Sequence, residues 1–409
     1  MPPRIGGVTS HWPRLRIAEE LPSTADLVVI GGGIVGAATA FFAQRAGLQV
    51  VLLEKRSALC TLNTPVSTGA FRLQFDNPEE IELVREGIAL FDQFDEVAEL
   101  PGFELSIRKQ GYLFCATTDE GAQRQRFFVE SLHGWGVGDV ELMSGDEARY
   151  RFPYLSESIL QARFRQLDGW LDPKRLTLGY ARASGAMVCL ETPAIGFEQR
   201  DGRVVGVRTP RGTIGCDNAV VAAGPFAGAV AGLAGVQVDL RPTIRHKLVM
   251  PDLPAIPAHG PMTIHEESAA HWRPGLNGCY GLWTEAATPP GEPLDNVPTN
   301  AAFAFGLLDP DSPSALAQLS PLWRDVWEDS TLYWILQAGQ YEYTGDHRPL
   351  LGPSDAPGLH LNCGYSGHGI MASAAGSRIV VDALLGRLQA EDNPFRPKRT
   401  MVERPLDIL

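Results

Sequence analysis

The stretch from Ala25 to Glu54 constrains this chain more than any other. Ala25-Asp26-Leu27-Val28-Val29-Ile30 is an apolar, β-branched run suited to a central parallel strand covered on both faces. Gly31-Gly32-Gly33-Ile34-Val35-Gly36 follows at once and opens an Ala-rich helical stretch that stops at Gly47. A second apolar strand, Gln49 to Leu53, ends in Glu54. In this pattern Gly31 allows a tight turn, Gly33 lets the backbone approach a pyrophosphate, and Gly36 permits close helix–strand packing. The helix N-terminus beyond Gly33 offers N–H groups and a positive dipole end to phosphate. A carboxylate at the end of the second strand can accept hydrogen bonds from ribose hydroxyls. The glycines alone would be a weak motif; together with both strands, the helix and the terminal acid they predict a dinucleotide site.

The rest of the chain fits a large enzyme. Its 409 residues suggest two interleaved domains. With 44% hydrophobic and 20% charged residues, it has the make-up of an ordinary globular protein. A formal net charge of −13 argues against nucleic-acid or anionic-membrane partners. The six cysteines, Cys60, Cys115, Cys189, Cys216, Cys279 and Cys363, form no CxxC pair. They predict neither a metal site nor a disulfide framework, and a reducing cytoplasm is the expected setting. The first residues show no charged-then-apolar signal pattern, and no apolar run reaches the ~18 residues that span a bilayer.

Residues 1–24 read as an irregular arm. A helix is expected from Asn77 to about Glu99, then two short strands around Lys109-Gln110-Gly111, a helix near 119–133 and strands near 159–166. Asp168-Gly169-Trp170-Leu171-Asp172-Pro173 marks a turn into a helix from Pro173 to Ser184. Beyond the Asp201-Gly202 turn lies Val220-Val221-Ala222-Ala223-Gly224, whose small residues would let the chain pass close under a cofactor or simply end a core strand. Residues 240–338 read as strands with Pro-rich loops at 251–261 and 289–298 and a short helix from Pro321 to Asp329. The loop from Asn362 to Ile370 feeds a last helix to about Leu388. Its N–H groups would face negative charge on a reduced flavin, or the loop is a structural turn.

These pieces occur in an order that resembles the FAD-dependent glycine/D-amino acid oxidase superfamily (DAO family, sarcosine oxidase-like). They are GGGIVG with Glu54, STGAFR at 67–72, DGWLDP at 168–173, VVAAG at 220–224, TGDHRPLLG at 344–352 and GYSGHGI at 364–370. The resemblance implies an α/β fold: a Rossmann-like FAD-binding domain interleaved with a mixed-sheet α+β substrate domain. Residues 1–76, 155–240 and 339–409 would form the FAD-binding domain, and 77–154 with 241–338 the substrate domain. FAD would contact Gly31, Gly33, Ile34, Val35, Gly36, Glu54, Lys55, Thr68, Gly69, Ala70, Ala223, Gly224, Gly364, Gly367, His368, Gly369 and Ile370. Val204 to Val207 and the strand near 186–195 would serve the adenine side.

The implied chemistry is hydride transfer from an amine-bearing carbon to flavin N5, giving an imine, in an amine or amino acid oxidase or dehydrogenase. Arg72 and the Gly-His-Gly loop would stabilise the reduced flavin. His246, Tyr343 and His368 are candidates for substrate contact or proton exchange, although such residues also serve structural roles. The electron acceptor would be O2 or a redox partner, and no metal is implied. FAD-dependent oxidation of a hydroxy substrate and a non-catalytic flavin-binding assembly subunit are the alternatives.

Three positions depart from the family pattern. Gly339 stands where sarcosine oxidases attach the flavin to a cysteine, so FAD is predicted to be non-covalent. Phe75 and Met371 replace an arginine and a lysine that hold a substrate carboxylate. Either Arg245, Lys247 or Arg273 takes over that task or the substrate lacks the carboxylate and is bulkier and more apolar than sarcosine. Tyr280, Trp283, Trp272 and Trp334 could then wall the substrate, or pack in the core. Lys247 is the one lysine in a strand positioned to meet the flavin, unless it is a solvated charge on a strand edge.

Overall fold

A computed structural model describes residues 12–285, 288–329 and 331–402. The opening stretch folds as its composition dictates. Thr24–Ile30 is a strand, with Val50–Leu53 parallel on one side and Gly212–Val221 parallel on the other. Leu27 and Val29 point into one apolar cluster, Val28 and Ile30 into another. This is why the run is continuously apolar: both faces of the strand are covered. Leu359–Cys363 lies parallel to Gly212–Val221, so that Ile30, Val221 and Leu361 share one level at the carboxyl ends. A nine-stranded sheet results.

Helices cover one face of this sheet. Ile34–Arg45 packs against Pro173–Ser184 and Gly369–Leu384. The boundaries of Pro173–Ser184 follow from local chemistry. Asp172 Oδ1 accepts from the N–H of Lys174 at 2.8 Å and of Arg175 at 3.2 Å, and Pro173 occupies the first turn. Gly185 ends the helix at φ 60°.

An eight-stranded sheet forms the second layer. Its order runs from Ile335–Tyr343 at one edge through Arg241–Met250, Gly278–Leu282, His271–Gly275, Met262–His265, Tyr112–Ala116 and Gln161–Arg165 to Glu141–Ser144. The short pair Ala70–Phe71 with Gly169–Trp170 joins the STGAFR and DGWLDP segments.

Several sequence expectations are corrected here. Part of the arm is ordered: Arg16–Ile17 pairs with Met187–Val188. Residues 1–11 of that arm lie outside the described residues. Gln161–Arg165 belongs to the second sheet, not with the segment from 155 to 240, because its register is with Tyr112–Ala116. The helix expected over 77–99 is two, Pro78–Asp92 and Phe94–Val97, interrupted at Gln93. Of the two strands expected near 109–111 only Tyr112–Ala116 forms, and Arg108 makes a single bridge to Trp170. Ala301–Leu308 is a helix within the region read as strands, started by Asn300, whose side chain accepts from the Ala302 N–H. Its AAFAFGLL sequence is apolar all round and carries no helical period.

Candidate active site

At the carboxyl ends of the first sheet, glycines bring backbone against backbone. A Cβ on Gly36 would lie 1.8 Å from the Gly31 carbonyl oxygen, and one on Gly31 (φ 122°) 2.3 Å from that of Ala222. At Gly33, by contrast, a Cβ would meet only Thr64 Oγ1, at 3.4 Å. The glycine thus leaves open space at the start of the helix, as a bound phosphate requires. Thr64 Oγ1 accepts the Ile34 N–H at 3.2 Å. Glu54 lies beside the same turn, accepting from the N–H groups of Gly32 (2.9 Å) and Arg56 (2.8 Å).

A cavity of about 400 Å³ runs from this cradle to the second sheet. Gly31–Val35, Glu54, Lys55, Thr192–Ala194 and Ala222–Phe226 line one end. Thr68, Ala70, Arg72, Gly339–Glu342 and Gly367–Met371 line its middle and far walls, with Tyr112, Arg245, His246, Lys247, Met262 and His271 contributed from the second sheet or its margin. The donors and small residues lining this cavity fit an FAD, with the Gly31–Val35 turn, Glu54, Ala222–Gly224 and the Gly367–Ile370 turn as the backbone and carboxylate groups that would hold it.

The predicted residues divide into those that reach the cavity and those that support it. Gly31, Gly33, Ile34, Val35, Glu54, Lys55, Thr68, Ala70, Ala223, Gly224, Gly367, His368, Gly369 and Ile370 line it. Gly36, Gly69 and Gly364 sit behind the wall, where a Cβ would strike Gly31, Leu171 and Thr344 respectively. Val204 and Val207 do not reach the cavity; both are buried in the cluster under the other face of the sheet. Of the 186–195 segment, Thr192–Ala194 line the cavity.

Arg72 is buried and lines the cavity. It donates to the Gln74 carbonyl, and its guanidinium lies 4.3 Å over the Phe75 ring. Phe75 is therefore a floor for Arg72, fully buried and absent from the cavity wall, so it removes a charge without adding an apolar surface for substrate. His368 Nδ1 lies 3.3 Å from Glu80 Oε1, holding the start of the last helix to the helix Pro78–Asp92. That partner keeps Glu80 charged despite its burial, pulling its carboxyl below the usual range. His246 accepts the Asn300 N–H at 3.2 Å and stacks on Phe303. Burial disfavours its charged form. Tyr343 does not reach the cavity; its hydroxyl accepts two bonds of 3.2 Å from Arg245, so it positions that guanidinium. Of the four aromatic residues proposed as a wall, only Trp283 lines the cavity. Trp272 is in the core and Trp334 packs on Phe305.

Sequence reasoning missed Glu342. It lines the cavity where its carboxyl accepts from its own N–H and that of Tyr365, with no cation in ion-pair distance among the described residues. Burial pushes it up to about 7. Asn63 was missed too: its side chain bonds both the N–H and the carbonyl of Gln340, closing the wall beside Gly339. Glu342 falls in the run Tyr341-Glu342-Tyr343-Thr344-Gly345-Asp346 and could have been singled out as its one acid before the aspartate.

The family profile described as "FAD dependent oxidoreductase" (DAO) matches residues 26–383. The chain belongs to the DAO family of FAD-dependent oxidoreductases. The bovine FAD-dependent oxidoreductase domain-containing protein 1 is 26% identical, over 92% of this chain and 83% of that protein. Human mitochondrial sarcosine dehydrogenase is also 26% identical, over 86% of this chain but only 38% of its own length. Among solved structures, L-proline dehydrogenase from P. horikoshii superposes with a TM-score of 0.80 at 23% identity, covering 92% of this chain and 98% of that one. Glycine oxidase from Geobacillus kaustophilus gives 0.79 at 21% identity, covering 93% and 100%. These likenesses establish the DAO fold. Among the described residues no helix is long and apolar enough to cross a membrane, and no group of His, Cys, Asp and Glu could hold a metal ion.

Proposed function

We propose that this DAO-family chain oxidises the C–N bond of an amino acid or secondary amine to an imine, with FAD as hydride acceptor. One observation carries the reading: a single cavity joins the glycine cradle to a buried chamber walled by Arg72, Arg245 and Lys247. A carboxylated amine fits such a chamber, and the named relatives include enzymes of sarcosine, proline and glycine. When bound, the flavin supplies the two-electron step. The chain's own part is to orient the reacting C–H bond, exclude water and manage charge. The N-terminus of Gly369–Leu384 and the Arg72 guanidinium place positive charge at the wall where negative charge would build up. Glu342, held near neutrality, is placed to exchange a proton inside the cavity.

FAD is held without a covalent bond in this reading. Gly339 lines the cavity with no side chain to form a thioether. Heat or acid precipitation is expected to release all the flavin into the supernatant, and yellow colour retained in the pellet would refute the assignment.

The activity is tested by anaerobic absorbance spectra of the purified protein with primary amines, secondary amines and hydroxy acids. Bleaching of the flavin bands by an amine is the expected result, and readmitted air then distinguishes an oxidase from a dehydrogenase. Bleaching by hydroxy substrates alone, or by nothing, would transfer the assignment to alcohol oxidation or to an assembly role.

A further inference from the structure

Among the described residues, two buried cations on the second sheet have no anionic partner. Lys247, on Arg241–Met250, is 4% exposed, and Arg273, on His271–Gly275, is 6% exposed. They flank one ring: Lys247 Nζ lies 4.9 Å and Arg273 Cζ 4.5 Å from the centroid of Tyr280. Lys247 Nζ reaches only the Ser67 carbonyl, at 3.4 Å. Arg273 donates to the carbonyls of Thr68 (2.5 Å) and Pro274 (2.7 Å), and its Nε has no partner. Neither is within ion-pair distance of a carboxylate among the described residues. Burying two like charges around one ring without a counter-ion is unfavourable. The folded chain relieves the cost by weakening the ammonium: burial, Arg273 and Lys174 bring Lys247 down to about 7.

The neighbouring cation is differently disposed. Arg245 is committed to the Tyr343 hydroxyl and to the carbonyls of Ile244 and Glu285. Lys247 lines the cavity, whereas Arg273 stands behind it.

We propose that Lys247, backed by Arg273, is the receptor for a carboxylate group of the substrate. The anion supplies the charge this corner lacks, on the strands of the second sheet. This rests on the amine-oxidising reading and decides between its two forms: the substrate carries a carboxylate. Groups facing Lys247 are Arg245 on its own strand, Arg273 and Tyr280 on the neighbouring strands, Lys174 from the helix Pro173–Ser184 and the Ser67 carbonyl. Arg72 and His271 share the cavity, and burial holds His271 neutral by bringing it down to about 4. Glu342 shares the cavity too, and burial brings it up to about 7, so its ionisation adds negative charge over the same pH range; a carboxylate binding to Lys247 above that pH draws in one proton to restore the ammonium.

The test reads binding, not turnover. Flavin absorbance of the FAD-loaded protein is titrated with 2-furoate and with its neutral counterpart 2-furamide. At pH 6 the furoate is expected to bind roughly 30-fold or more tightly than the amide. With Glu342→Gln in place, so that Lys247 is read alone, its affinity should fall about tenfold per pH unit above neutrality. Lys247→Met should erase the preference, whereas Lys247→Arg should keep it and, in the Glu342→Gln background, flatten the pH dependence. An unchanged preference in Lys247→Met, or none in the wild type, would overturn the proposal. Should Lys247→Met fail to hold FAD, the same pH dependence with and without Lys247→Arg in the Glu342→Gln background would overturn it equally. Flavin reduced by a glycerol phosphate, with loss in Lys247→Met, would assign the corner to phosphate instead. Amines without a carboxylate that bleach wild type and Lys247→Met alike would leave the amine-oxidising reading standing whatever the furoate result.

Discussion

Gly36→Ala is expected to yield a folded but colourless protein. The new methyl group would sit 1.8 Å from the Gly31 carbonyl oxygen, and 3.0 Å from its carbon, with no flexible side chain to give way. Relief requires the helix Ile34–Arg45 to move off the strand Thr24–Ile30, since overpacking against backbone costs at least ~1–3 kcal/mol. That motion takes the helix N-terminus away from the position where N–H groups would meet a pyrophosphate. Gly31 opposes any compensating shift, because it is itself pressed against Ala222 at φ 122°. The ratio of flavin to protein absorbance should drop close to zero, while far-ultraviolet circular dichroism keeps the wild-type shape. A variant that retains full flavin would show that the glycine is not needed for close packing.

The second large effect is on stability. Asp346 and Arg399 form a pair in which each side chain is only 7% exposed, with bonds of 2.7 Å from Arg399 to both carboxylate oxygens. Arg399 also donates to the carbonyls of Arg348, Pro349 and Phe395, so the pair pins the 393–399 turn to the loop after Ile335–Tyr343. Asp346→Ala leaves the guanidinium buried without its counter-ion, a loss of about 3–5 kcal/mol. Urea denaturation followed by tryptophan fluorescence measures it, and a change under 1 kcal/mol (roughly the size for exposed pairs) would contradict the account. Acid sharpens the test. The hydrogen bonds and charge of Arg399 hold the Asp346 carboxyl below its ordinary value. Its contribution is therefore complete above the unfolded-state value of about 3.9 and is lost as pH falls through the lower folded-state value. The wild type should lose its advantage over Asp346→Ala only in that acidic window.

Much of the cofactor half was legible because local chemistry decides it. A strand covered on both faces has to be continuously apolar, a helix pressed on a strand needs Gly36, and Asp172-Pro173 announces a helix start by its own hydrogen bonds. The substrate half was less legible because its residues meet through sheet pairing. Nothing in the spacing of Lys247, Tyr280 and Arg273 says that they share one corner; the registers of Leu248 with Gly281 and of Arg273 with Tyr280 do. Tyr343 was misplaced for the same reason, since its hydroxyl is turned to Arg245 by the neighbouring strand. The helix Ala301–Leu308 went unread because it is apolar all round, and periodicity is silent where no face is polar.

The wall of the cavity that faces Gly31–Val35 comes from Gly367–Met371, near the opposite end of the chain. The dinucleotide motif is thus half a site until that distant stretch of chain folds against it. A nascent chain halted before residue 360 has the glycines and Glu54, but neither the strand Leu359–Cys363 beside Gly212–Val221 nor the turn that completes the cavity. Flavin capture therefore needs the turn before the last helix in place, and a chain cut before it is expected to stay colourless when FAD is added.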